Sequence, residues 1–404
     1  MPKPLSPQLQ KFARLALIGL VLLMLLAAAI FSFNAFSTWQ LRQKVMATPA
    51  AQAQLLGSRF IVGYEDAGEV TELARRGLIA GVFVTARNAK NKSAEVLQRE
   101  IAQMQAVRRS AGLPALMVAT DQEGGDVSRL SPPLARQPAL SSLVAGATLS
   151  GLQAQAFDYG VVQGQALASL GVNINFSPVV DIKSGRALSP LDLFSRINNR
   201  AISGDPEMVS SVAAAYSRGL ASAGVLATLK HFPGLGEVAA DTHLFSAQLN
   251  TPVATLQHRD WLPFRRVLAQ SDALMMLGHV SLPELDSVYP ASLSHKVVQG
   301  VIRKDWGHDG VLVSDDLTMR AAQLYGTCGA TLAALNAGVD LLLLAYDHGQ
   351  FYEAMQCALD ALNAGQLDST LMTGSQQRLV RFKQRFSQRQ AAAKVLQSPL
   401  FQAH

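Results

Sequence analysis

Residues 225–236 read Val225-Leu226-Ala227-Thr228-Leu229-Lys230-His231-Phe232-Pro233-Gly234-Leu235-Gly236: five uncharged residues, then a cation, a histidine and a turn rich in glycine and proline. A run this short and this apolar fits a strand buried on both faces, and its abrupt polar end marks where it leaves the core. The pattern recurs in both directions along the chain. Phe60 to Gly63, Gly81 to Thr85, Ala115 to Thr120 and Val172 to Val180 come before it, and Ala273 to Leu277, Gly310 to Val313 and Val339 to Leu344 come after. Eight such runs separated by helix-length segments predict an α/β fold, a single (β/α)8 barrel of the TIM type, over residues 58–368. A doubly wound sheet would be the other arrangement, but no Gly-x-Gly-x-x-Gly follows the first run to suggest dinucleotide binding.

In such a barrel the chemistry gathers where the strands end at the C-terminal face. Four run ends are markedly polar: Asp121-Gln122-Glu123-Gly124-Gly125, Lys230-His231, Gly278-His279 and Ser314-Asp315-Asp316. Adjacent residues on a strand point to opposite sides, so only one of Asp315 and Asp316 can face the barrel axis, as a nucleophile or an electrostatic stabiliser. Asp121, Glu123, His231, His243 and His279 are candidates for its proton-transfer partner. His243 stands apart because Asp241 lies two residues earlier, on the same side of an extended segment, where a carboxylate can orient one imidazole nitrogen. The loop from Pro233 to Asp241 contains Gly234 and Gly236 and is expected to be mobile. No His-x-His pair sits near the first strand and the histidines at the run ends are isolated, so neither a metal nor a cofactor is expected.

Charge separates the chain into three parts. Residues 1–44 carry five cations and no acid, residues 369–404 carry six and no acid, and the stretch between holds 24 cations against 29 anions, so the net +6 belongs to the ends. A body that is net acidic argues against nucleic acid as a partner. Leu15 to Phe33 are 19 residues without a charge, enough to cross about 30 Å of hydrocarbon. The segment is expected to be a single transmembrane anchor, with residues 1–14 cytoplasmic and the catalytic body in the periplasm. A cleaved signal peptide and a soluble periplasmic body are the alternative. Residues 34–57 read as a linker. In the basic segment 369–404, Leu379, Phe382 and Phe386 share one helical stripe, which fits a final helix docked on the barrel with a solvated basic side; contact with anionic lipid or cell-wall polymer stays open. The two cysteines, Cys328 and Cys357, are expected to be buried free thiols.

Taken in order, these segments resemble glycoside hydrolase family 3, and within it the NagZ-type β-N-acetylglucosaminidases. The similarity runs from about residue 58 to 346 through Ala86-Arg87-Asn88, Asp121-Gln122-Glu123-Gly124-Gly125, Phe176-Ser177-Pro178-Val179-Val180-Asp181, Lys230-His231-Phe232-Pro233-Gly234, Asp241-Thr242-His243, His279, Ser314-Asp315-Asp316 and Ala337-Gly338-Val339-Asp340. The resemblance implies a retaining exo-hydrolase that removes terminal β-linked N-acetylglucosamine from peptidoglycan fragments. It implies Asp315 as nucleophile, His243 as general acid/base assisted by Asp241, and Asp121, Arg129, Arg200, Lys230 and His231 as the residues that hold the sugar. A monomer is expected. Three positions depart from the family pattern: Leu235 replaces a histidine, Asp126 an arginine, and Asn198-Asn199 a Gly-Asp pair. Leu235 and the Asn198-Asn199-Arg200 segment motivate one alternative, a barrel that binds glycan without cleaving it efficiently, and a β-glucosidase or β-xylosidase of the same family is a further one.

Overall fold

The computed structural model describes residues 6–144, 149–185, 195–238 and 241–396. The chain divides into two units, Met1–Thr48 and Pro49–His404. The second unit contains the expected barrel. Its eight parallel strands are β1 Phe60–Gly63, β2 Gly81–Phe83, β3 Met117–Thr120, β4 Ile174–Asn175, β5 Leu226–Phe232, β6 Leu274–Leu277, β7 Leu312–Asp316 and β8 Leu341–Leu344. They close in sequence order, with β1 pairing β8 through Phe60 opposite Leu342 and Ile61 opposite Leu343. Each of the eight runs read from the sequence supplies one strand. Their period of two is visible in the packing: Met117 and Ala119, Leu274 and Met276, Leu341 and Leu343 belong to the central core. The intervening Val118, Met275 and Leu342 are equally buried and turn outward beneath the helices. Burial on both faces is why these strands read as continuous apolar runs.

The helices between strands are set by ordinary local signals. Pro206–Ser222 begins after Asp205, whose carboxylate accepts from Glu207 N, and Ala67–Arg76 begins after Asp66, which accepts from Gly68 N, and ends at Gly77 with φ of 74°. A small sheet of Ala247–Gln248, Val280–Leu282 and Asp286–Pro290 stands apart from the barrel.

Several expectations about the ends are revised. Residues 34–57 are not an extended linker: helix Pro7–Met46 runs through the first part, and Ala50–Gly57 forms a second helix that buries Ala53 and Leu56. The alanine- and glutamine-rich composition is helix-forming, and the two leucine-side contacts give it a face to pack. The expected transmembrane segment is not supported, since among the described residues no helix is long and apolar enough to cross a membrane.

At the other end, helix Ser369–Leu396 adds Leu379, Phe382 and Phe386 to the central core. Among its described cations Arg378 is buried, whereas Arg381 and Arg385 are paired yet 43% and 55% exposed, so solvent reaches that basic side. Arg378 reaches Asp340 at 2.9 Å, Arg385 reaches Asp272 at 3.0 Å, and Arg381 pairs with Asp309. The free-thiol expectation is also corrected: Cys328 and Cys357 form a disulfide between helices Gly326–Ala337 and Gln350–Asn363, with Cα atoms 5.5 Å apart. Neighbouring helices bring together two cysteines that are 29 residues apart, and both are only partly buried.

Candidate active site

The C-terminal ends of the strands converge on one pocket. Asp121, which follows β3, Lys230 and His231, which end β5, and Asp315, on β7, line it together with Arg129, Arg200 and His243. Asp241 is fully buried and stands directly against His243. The fold thus gathers all eight expected residues in one place.

At the floor, charge is heavily paired. Lys230 Nζ lies 2.6 Å from Asp121 Oδ1 and 2.7 Å from Glu123 Oε1. Arg200 holds Glu123 with two bonds, Nε to Oε2 at 2.9 Å and Nη2 to Oε1 at 2.7 Å, and its Nη2 lies 3.3 Å from His231 Nε2. Burial alone would push the Glu123 carboxyl up, but Arg200 and Lys230 hold it well below the ordinary carboxylate range. Burial likewise acts to lower Arg200, and Glu123, then Asp121 and Asp181, carry it above its ordinary value. Arg129 donates its backbone N–H to the Asp121 carbonyl at 3.0 Å, while its buried Nε has no hydrogen-bond partner among the described residues.

Behind the floor lies Asp181, a residue of the Pro-Val-Val-Asp segment with no role assigned from the sequence. Its carboxylate accepts from the His231 ring at Nδ1 (2.7 Å), from the His231 backbone, and from Leu235 N (2.7 Å). The position where the family carries a histidine therefore holds a buried leucine whose backbone is tied to Asp181. Gly234 adopts a φ of 107°, which lets the chain turn sharply out of the strand. Of the other departures, Asp126 is exposed, and Asn198 Oδ1 accepts from Ser184 N at 3.1 Å.

The mouth has a different character. His243 Nδ1 lies 2.8 Å from Asp241 Oδ1, and the His243 side chain is 37% exposed while that of Asp241 is 0% exposed. A carboxylate can only accept, so Nδ1 carries a hydrogen and the ring is held by Asp241. Asp315 and Asp316 both line the pocket, but their carboxylates are held differently. The Asp316 carboxylate is occupied by Thr318 N and Oγ1, Ala345 N and Tyr346 N, whereas Asp315 Oδ1 accepts only the Asp316 N–H at 2.8 Å. Burial acts to raise the Asp315 carboxyl, but the facing His231, His279 and His243 hold it below the ordinary carboxylate value, so the group is an anion at neutral pH.

Three contributors escaped the sequence reading. Glu123 was a proton-transfer candidate and turns out to hold two cations; Asp181 holds His231; and Tyr346, next after β8, lines the pocket with its hydroxyl pushed up to about 12, by burial first and by Asp121 second. The glutamate and aspartate lie in quoted segments, and what hid their roles was pairing across 77 and 50 residues.

A (β/α)8 barrel whose pocket presents an anionic Asp315, a carboxylate-oriented histidine and paired cations fits the class of hydrolases. Sequence comparison gives the family. The N-terminal domain of glycosyl hydrolase family 3 matches residues 40–382, and the chain belongs to that family. A β-hexosaminidase of Pseudomonas aeruginosa is 34% identical over 281 residues, covering 69% of this chain and 79% of the relative. β-Hexosaminidase A of Pseudoalteromonas piscicida is 30% identical over 356 residues, covering 82% of this chain but 58% of the relative, so the chain spans little more than half of that protein. Among solved structures, a family 3 β-N-acetylglucosaminidase from Paenibacillus superposes with a TM-score of 0.76 at 28% identity, covering 83% of this chain and 62% of the other. A family 3 member from Mycobacterium smegmatis gives 0.71 at 30% identity, covering 84% and 98%.

Proposed function

We propose that the protein is a retaining exo-β-N-acetylglucosaminidase acting on peptidoglycan-derived fragments. In the first step one oxygen of Asp315 attacks the anomeric carbon, the glycosidic C–O bond breaks, and the leaving oxygen takes the proton from His243 Nε2. In the second, neutral His243 removes a proton from water, whose oxygen attacks the same carbon and displaces Asp315. Two inversions give net retention. Asp241 steadies the imidazolium after it forms and keeps the ring aimed by Nδ1. Asp121, Arg129, Arg200, Lys230 and His231 bind the hydroxyl-rich terminal sugar, and the unpartnered Arg129 Nε is a buried donor suited to a substrate oxygen.

The single observation that carries this reading is the pairing, at one pocket, of an anionic Asp315 with a His243 whose Nδ1 is committed to Asp241. The names of the relatives favour N-acetylglucosaminides over glucosides as substrates. Asp315→Ala should lower turnover of an aryl β-N-acetylglucosaminide by about 10⁴-fold or more, in line with the loss of a covalent nucleophile. Residual activity above about a tenth of wild type would refute the assignment. Sugar released from peptidoglycan fragments should appear first as the β-anomer by NMR.

The reading extends to location. An exported body tethered by the N-terminal helix fits the uncharged run Leu15 to Phe33, the exposed Leu15, Leu17, Leu22 and Leu23, and the positive charges at Lys11, Arg14, Arg42 and Lys44. The Cys328–Cys357 disulfide favours the same oxidising side of a membrane. Retention in the membrane fraction after alkaline extraction tests the tether, and a monomeric mass in detergent tests the expected monomer.

A further inference from the structure

His279 follows β6, is 1% exposed and is absent from the pocket lining, yet its ring contacts the nucleophile strand. Nε2 lies 2.9 Å from the backbone carbonyl oxygen of Asp316. A carbonyl only accepts, so Nε2 carries the hydrogen. Nδ1, 2.7 Å from Ser292 Oγ, is then the acceptor of that hydroxyl. Both ring nitrogens are used, and the tautomer is fixed by its two partners.

Asp316 is gripped from the other side as well. Its carboxylate accepts from Thr318 N at 3.0 Å, Thr318 Oγ1 at 2.8 Å, Ala345 N at 3.0 Å and Tyr346 N at 3.1 Å, which ties the end of β7 to the end of β8. With side chain and carbonyl both anchored, the Asp316 N–H has little freedom, and it donates to Asp315 Oδ1 at 2.8 Å. The second oxygen, Oδ2, has no hydrogen bond among the described residues. A carboxylate with one oxygen held and one open has a defined attacking atom.

We propose that His279 is a positioning residue for the nucleophile: through the Asp316 carbonyl it keeps the Asp316 N–H on Asp315 Oδ1 and so presents Oδ2 to the anomeric carbon. The inference rests on the reading of Asp315 as nucleophile. It assigns Ser292 a part in the same chain, since its hydroxyl holds the other ring nitrogen of His279 at 2.7 Å.

The test measures covalent labelling of Asp315 by a 5-fluoro-β-N-acetylglucosaminyl fluoride. In that reaction the Asp315 oxygen–C1 bond forms, the C1–F bond breaks, fluoride leaves with its electron pair, and the modified peptide is identified by mass. Three variants are compared with wild type. His279→Leu should slow labelling by about 10²-fold, the cost of a nucleophile displaced by about an ångström. Ser292→Ala, which removes one buried oxygen and little volume, should slow it several-fold. His279→Gln, whose amide N–H can still reach the Asp316 carbonyl, should recover most of the rate. Binding of N-acetylglucosamine should be unchanged throughout, so the effect falls on kcat and not on KM. Labelling within twofold of wild type in Ser292→Ala and in folded His279→Leu would overturn the proposal, as would a fall in sugar binding that matches the fall in labelling. If His279→Leu fails to fold, Ser292→Ala and His279→Gln decide the matter. A wild-type protein that carries no label on Asp315 removes the nucleophile reading and the clamp together, whereas a labelled wild type with unaffected variants removes the clamp alone.

Discussion

The two ends of the barrel use the same chemical parts for different purposes. At the C-terminal mouth, Lys230 and Arg200 meet Asp121 and Glu123; at the N-terminal base, Arg378 and Arg303 meet Asp340, and Arg385 meets Asp272. At the base the pairs flank Phe382 and Phe386 of the central core and line a second cavity of about 270 Å³. At the mouth the pairs line the pocket that also holds Asp315 and His243, and Asp315 accepts a hydrogen bond on Oδ1 alone among the described residues. Buried ion pairing therefore does not by itself mark a site. What marks it is an anionic carboxylate with one oxygen outside the hydrogen-bond network, in the same pocket as a histidine that its acid orients and solvent still reaches.

The mouth should be the more sensitive end for catalysis, and His243 its most exposed point of failure. His243→Ala should lower turnover by about 10²–10⁴-fold for substrates with poor leaving groups and much less for activated aryl glycosides. Equal losses for both would break the distinction between floor and mouth. Glu123→Gln leaves Arg200 and Lys230 buried with one charge too few, and should cost about 3–5 kcal/mol of stability by denaturant titration while weakening N-acetylglucosamine binding.

The base should respond in stability alone. Burial, with Arg108 and Arg59 nearby, lowers the Lys383 amine from 10.5 to about 8. The unfolded chain therefore binds a proton between those values that the folded chain has given up. Stability rises with pH across that window, and below about pH 8 the folded protein carries the whole cost of a buried cation. Lys383→Met should stabilise by about 1–3 kcal/mol at pH 7, with the gain fading toward pH 10.5 and with kcat/KM unchanged. Arg385→Ala, whose partner Asp272 lies near the surface, should change stability by about 1 kcal/mol or less. Loss of activity in either variant would show that the two ends are coupled.

Much of this was legible in the chain. Eight apolar runs with polar ends specify eight strands because parallel strands buried on both faces leave no other pattern, the Asp241 and His243 pair declares itself by spacing, and Asp315 is set apart from Asp316 only by the resemblance to the family. Roles that depend on contacts across the barrel were hidden. Glu123 and Asp181 look like any strand-end acid until Arg200 and His231 arrive from 77 and 50 residues away. The pairing of Cys328 with Cys357 depends in the same way on how two helices meet.

The sequence by itself determined the barrel and the histidine beside its orienting acid, and narrowed the proposed nucleophile to two adjacent carboxylates, because periodicity and close spacing are local properties. Only the tertiary structure decided which charges neutralise one another, that the last helix closes the base, and that His279 and Ser292 stand behind the nucleophile. Those are through-space relations between strand ends, and chain order carries no measure of the distance between them.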